Sequence, residues 1–184
     1  MIARLGAAAL ALTVLVGAVP PMAAAQERPL VIVVVDFQRI VRESAAAATV
    51  REQIDELRTA YQGEFAAIEE QLRAAEAELT NQRPVLPDEE FLRRRREFEA
   101  QVTEAQRQAQ YRRAELDGAL DNAMNRIQSS LLDVIAEIAE RQRANVVFNR
   151  SNVVIVDQEL DFTDEALEEL NAVLPHVDVV VPEQ

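Results

Sequence analysis

Two long stretches of strong helix formers, separated by a pair of prolines, constrain this chain more than any other feature. Between about Ala45 and Arg143 the only glycines are Gly63 and Gly118, and the only prolines are Pro84 and Pro87. The rest is mainly Ala, Glu, Gln, Arg and Leu, which all favour the helix. Upstream of the prolines, apolar residues fall at Val50, Ile54, Leu57, Tyr61, Phe65, Ile68, Leu72, Ala75 and Leu79. The spacing is that of a heptad seam with one extra step, a stutter, at Tyr61. Downstream, Phe91, Phe98, Val102, Ala105, Ala109, Leu116, Leu120, Ala123, Ile127, Leu131, Val134 and Ile138 continue a similar seam. A polar stretch around Arg112 and Arg113 interrupts it. Pro84 and Pro87 stop the first helix, because a residue before proline is pushed out of the helical region. Asp88, Glu89 and Glu90 then put negative charge on the first turn of the second helix, where its dipole favours it. The pattern predicts a long antiparallel hairpin over residues 45–143, with its tip near 83–88. An arm of about 38 residues extends about 57 Å. A single continuous dimeric coiled coil is the alternative, and the double proline argues against it.

The flanks have a different period. Leu30 to Val35 is an unbroken apolar run, the signature of a strand covered on both faces. Asp36 ends it and can cap a helical turn carrying Phe37, Ile40 and Val41. After the second arm, Val146–Phe148 and Val153–Val156 are strand candidates separated by the turn-rich residues 149–152. Thr163 is placed to cap a short helix with Asp164 and Glu165 in its first turn and Leu167, Leu170 and Val173 on one face. Pro175 closes that helix, and Val177–Val181 is a further strand candidate or a loose tail. Hence residues 26–44 and 144–184 read as a β-rich body in which Val31, Val33, Val35, Val147, Val154 and Val156 are candidate oligomer-forming residues. Three or four short strands make a poor independent sheet, and a two-helix hairpin buries little by itself. Both facts predict an oligomer.

The first 25 residues read as a secretory leader. Arg4 is their only charge, an apolar stretch runs from Leu5 to about Val19, and Ala23 and Ala25 supply small residues at a cleavage site before Gln26. The apolar stretch is shorter than the roughly 20 residues that span a bilayer, which disfavours an uncleaved anchor. No later segment is apolar enough to span. The chain has no Cys and a single His, His176. That removes disulfides, thiol nucleophiles, zinc–thiolate sites and histidine clusters. No phosphate-binding glycine loop and no nucleophile–base arrangement stands in the sequence, so an enzyme is not expected and no cofactor is implied. Asp157, Glu159 and Asp161 have the spacing of part of a calcium loop, without its central Gly or terminal Glu. A net charge of −13 and the lack of a basic domain argue against nucleic acid.

The order of these elements resembles the Skp (OmpH-like) family of periplasmic chaperones. The residues that carry the resemblance are Val33 to Val41 after a leader, Arg126 to Gln128 near the base of the second arm, Asn145 to Phe148, and Asp161 to Thr163 with Leu167 and Leu170. The resemblance implies a homotrimer in which strands of three subunits form a small β-barrel body, with helical arms projecting around a cavity. It implies ATP-independent holding of unfolded outer-membrane β-barrel proteins in the periplasm, and contact with anionic lipid or lipopolysaccharide. The fold class expected is therefore mainly α with a small β part. An exported structural or adaptor coiled-coil protein of an envelope complex is the rival reading. The strand set lacks the larger flanking β domains an efflux adaptor needs.

In one respect the chain departs from the best-known members, which are strongly basic. Without the leader it has 18 Arg, no Lys and 32 acidic residues. The charge is uneven: eight Arg and six acids lie between Arg83 and Arg113, whereas nine acids and no Arg lie between Asp157 and Glu183. The relatively basic arm is thus where anionic clients or lipids would meet Arg93, Arg94, Arg95, Arg96, Arg112 and Arg113. Four consecutive helical positions point to all sides, so Arg93–Arg96 read equally as a solvated face paired with Glu89, Glu90, Glu97 and Glu99.

Overall fold

The computed structural model describes residues 29–181; the expected leader lies outside them. The apolar run forms strand β1 (Ile32–Val35). Helix α1 (Phe37–Glu43) follows at once, because Asp36 Oδ1 accepts the Arg39 N–H at 2.9 Å and caps its first turn. Ser44 is fully buried and repeats the device. Its hydroxyl accepts the Ala47 N–H at 3.2 Å and opens α2 (Ala45–Gln82). A tight turn through Arg83–Pro87 leads into α3 (Asp88–Gln142), which has 55 residues against 38 in α2. The two run antiparallel: Arg94 reaches Gln82 at the tip, and Arg112 reaches Glu64 midway. At 1.5 Å per residue, α2 is about 57 Å long and α3 about 83 Å.

The extra length of α3 roots the arm. Ile127, Leu131, Val134 and Ile138 join Val33, Val35, Ile40, Val50, Ile54, Ala166 and Leu170 in one buried cluster. The cluster is the core of the base. Beyond it the packing thins: α2 has no buried residue past Ile54, and α3 has none before Glu115.

Helix α3 ends at Arg143, which adopts φ 54°. Its N–H bonds Glu140 O and the Ala144 N–H bonds Ala139 O, a Schellman close that turns the chain toward β1. Strand β2 (Val146–Asn149) then lies parallel to β1, with Val33 opposite Val147. Parallel neighbours need a long crossover, and the whole hairpin provides it. Asn145 extends the ladder, since its N–H bonds Val31 O at 2.8 Å and its Oδ1 accepts the Val31 N–H at 2.9 Å.

Helix α4 (Thr163–Val173) packs across α1 and the root of α3. Arg141 pairs with Glu165 and Glu169, and Arg39 with Asp164. Its sequence context places Thr163 as the cap of α4, but it does not cap it. It is the first helical residue, and its hydroxyl accepts the Asp36 N–H at 2.8 Å. It is spent on holding α4 to the end of β1.

Two of the strand candidates are not strands among the described residues. Val153–Val156 follows a 3₁₀ turn at Arg150–Asn152, and Arg150 Nη1 bonds Val153 O, which curls the chain back. Val154 and Ile155 are left 93% and 88% exposed. With no neighbouring strand to complete a ladder, β propensity alone does not make one. Val177–Val181 is not a strand. The described residues are mainly helical with a small strand part, a two-stranded sheet.

Candidate functional site: the arm and the open edge of the base

The seam of α2 is as the spacing predicts. Val50 and Ile54 are buried, and Leu57, Tyr61, Phe65, Ile68, Leu72, Ala75 and Leu79 are all half-buried between exposed neighbours. In α3 the seam runs through Phe91, Phe98, Val102, Ala105, Leu116 and Leu120, but Ala109 is exposed. The place is taken by Arg112. Its guanidinium stacks on the Tyr61 ring at 4.8 Å, bonds Glu115 Oε2 at 3.0 Å and lies 3.9 Å from Glu64. Glu115 is buried, with Oε1 unpartnered among the described residues. The carboxylate beside it also holds the Tyr111 phenol above its ordinary pKa. A polar layer thus crosses the arm where the α2 seam stutters.

The arginines named from sequence are not brought together. Arg93 pairs with Glu90 at 2.5 Å and Glu97 at 2.8 Å, Arg94 with Glu90 at 3.2 Å, and Arg95 with Glu99 at 3.0 Å. The hydrogen bonds from Arg93 and Arg94 lower the Glu90 pKa below its ordinary 4.5. Arg94 also donates to Gln82 at 2.8 Å and closes the tip, while Arg83 stacks on Phe91 at 5.3 Å. Arg112 is occupied in the seam. Arg96 and Arg113 are exposed and make no ion pair among the described residues. They are 17 positions apart on one helix, about 25 Å, so they form no common anion site. Glu115 was not singled out by its sequence context. A Glu three places after an Arg in a Glu-rich helix reads as a surface pair.

The base presents an apolar edge. Val33 and Val35 face the core, whereas Ile32 and Val34 face a groove of about 550 Å³ lined also by Phe148, Val154, Ile155 and Leu160. Of the candidate body residues, Val33 and Val35 are buried, Val31 and Val156 are half-buried, and Val147 and Val154 are exposed. β1 is flanked by β2 on one side and bridged to Asp161 on the other. No strand among the described residues pairs with the outer edge of β2. No described group of acidic or His side chains could hold a metal ion, and no described helix is long and apolar enough to cross a membrane.

Comparison with known proteins places this architecture. A solved structure from Caulobacter crescentus, named for an OmpH-like outer membrane chaperone, superposes with a TM-score of 0.78 at 16% identity. The match covers 85% of this chain and 93% of that one, and at this identity it speaks for the fold. No curated protein matches the chain. The OmpH-like outer membrane protein family matches residues 31–170, from the residue before β1 into α4. That match spans the base, both arm helices and the chain's return to the base. The chain therefore belongs to the OmpH-like family, the Skp family its motifs resemble.

Proposed function

We propose that the chain is an ATP-independent periplasmic holdase that encloses unfolded outer-membrane β-barrel proteins between helical arms. The observation that carries this reading is the distribution of burial. Past Ile54 and before Glu115 the arm has no buried residue, only a half-buried seam between two helices. Such an arm offers open grooves strung along its two helices, and so a long, compliant wall. Many weak contacts along several walls give useful affinity by avidity, and release then needs no nucleotide.

Several arms require several chains, and the base supports that. An open edge on β2 and a groove flanked by exposed Phe148, Val154 and Ile155 are features that soluble proteins cover. Three copies closing these edges into one small barrel form the trimer of our reading, with Val154 and Val156 entering the ladder they lack in the single chain. Arg96 and Arg113 remain the arm cations best placed to meet an anionic client segment or lipid. The family's setting supports the periplasm, with residues 1–25 as the export signal.

The test uses the mature chain, residues 26–184, without ATP. An unfolded outer-membrane β-barrel protein is diluted from urea while light scattering is followed. Suppression of scattering that saturates near three chains per client is the expected result. No suppression at several-fold excess of folded chain would overturn the reading and leave an adaptor with one folded partner. Persistence of suppression at high salt is also expected, because the arm Arg residues are mostly paired with Glu.

A further inference from the structure

The last described residues form a strap across the root of α2. Pro175 follows the end of α4, and the described residues after it form no helix or strand. Val177 is 1% exposed and belongs to the same core cluster as Ile40, Val50 and Ile54, and Val179 packs against that cluster. Asp178 and Val180 face outward. Gln53, on the third turn of α2, grips this segment at two points. Its Nε2 donates to Val177 O at 2.9 Å, and its Oε1 accepts the Val179 N–H at 2.9 Å. Nε2 also donates to Thr49 O at 3.1 Å, so every bond agrees on the orientation of the amide.

A second tie lies below the first. Asn171 Oδ1, near the end of α4, accepts the Ala45 N–H at 2.7 Å and satisfies a free donor at the start of α2. Ala45 and Gln53 are eight residues apart, about 12 Å along the axis. One attachment leaves a helix free to pivot or slide about it. Two attachments along the axis do not.

This matters because the two arm helices are rooted differently. Helix α3 is held by its own buried residues from Ala119 to Ile138. Helix α2 enters from α1 across the single residue Ser44 and is buried only as far as Ile54. When a two-helix arm bends, one helix slides along the other. Two helices free to slide bend as two thin rods, and helices pinned at the root bend as one thick rod.

We propose that residues 171–179 are a latch that pins the root of α2 and sets the stiffness of the arm. Gln53 is its catch, and it reads backbone only. Apart from that grip, no backbone N–H or C=O of residues 175–181 is hydrogen-bonded among the described residues, so few backbone bonds hold the latch shut. Residues 171–184 lie outside the family match. The latch rests on the holdase reading only for its use, which is to match cage width to the client.

The experiment needs no client and is therefore independent of that reading. The chain lacks Cys, so Val85→Cys at the exposed tip and Glu168→Cys on the exposed side of α4 place two spin labels cleanly. Labelled chain is diluted in unlabelled chain, and the distance distribution is read by dipolar spectroscopy. Gln53→Leu should at least double the width of the distribution with helicity unchanged. Gln53→Glu keeps the acceptor for Val179 and loses the donor to Val177, so it should fall between. Ending the chain after Leu174 should give the broadest distribution. Wild-type width in Gln53→Leu overturns the latch whether or not the shortened chain folds. Broadening that comes only with loss of helicity overturns it too, since the residue would then serve general stability.

Discussion

The base and the outer arm are held in opposite ways. In the base, ties span the sequence. Thr163 holds Asp36, Asn145 holds Val31, Asn171 holds Ala45, and Arg141 holds two acids of α4. Around them Ile40, Ile127, Leu131, Ile138 and Leu170 are fully buried. In the outer arm nearly every ion pair joins residues three or four apart on one helix, as in Arg73–Glu70, Arg95–Glu99 and Arg107–Glu104. Such pairs stiffen a helix locally but do not tie one helix to the other. The difference teaches where stability resides: the base carries it, and the arm borrows it through the root of α3.

The sharpest way to break the comparison is to delete the same side chain in both regions. Leu131→Ala in the base should cost about 3 kcal/mol, within the range for fully buried leucines, whereas Leu72→Ala in the arm should cost about 1 kcal/mol. Equal shifts in urea midpoint for the two would contradict the account. Next in size is Arg112→Ala, which strips the stacked guanidinium from Tyr61 and leaves Glu115 buried without its cation. A loss of about 2 kcal/mol is expected, against less than about 0.5 kcal/mol for Arg95→Ala on the exposed face. Arg112→Ala with Glu115→Leu should recover most of the loss.

Smaller still are the two arm glycines. A Cβ added at Gly63 or Gly118 meets nothing within 4 Å. Either change to Ala should therefore raise stability by about 1 kcal/mol through helix propensity. The finest effect is one of pH. Glu90 in the folded arm titrates below its ordinary value because Arg93 and Arg94 hydrogen-bond its carboxylate. Its contribution is present above the unfolded-state pKa and is lost as pH falls through the lower folded one. NMR titration of Glu90 should show that lowered midpoint, and Arg93→Gln should move it back up.

What was legible from sequence follows the same division. Periodic packing writes itself into the chain, so the α2 seam from Val50 to Leu79 and the turn at Pro84–Pro87 were readable residue by residue. So was the cap at Asp36, because a cap and its partner lie three residues apart. Ties between distant residues leave no such trace. Gln53 and Val177 are 124 positions apart, and nothing near either announces the other. Arg112 occupies a seam place that an apolar pattern assigns to Ala109, because a guanidinium stacked on Tyr61 packs like an apolar group while reading as a charge. Val153–Val156 carries strand propensity, but a ladder also needs a partner, and the single chain supplies none.

The most direct test of the account is hydrogen exchange on the mature chain, alone and saturated with an unfolded outer-membrane β-barrel protein. Amides of β1, α1 and the α3 root after Ala123 should be strongly protected in both states. Those of α2 beyond Tyr61 and of α3 before Arg112 should exchange quickly in the free chain and slow when client is bound. Equal protection of arm and base in the free chain, or client protection confined to the base, would contradict the account.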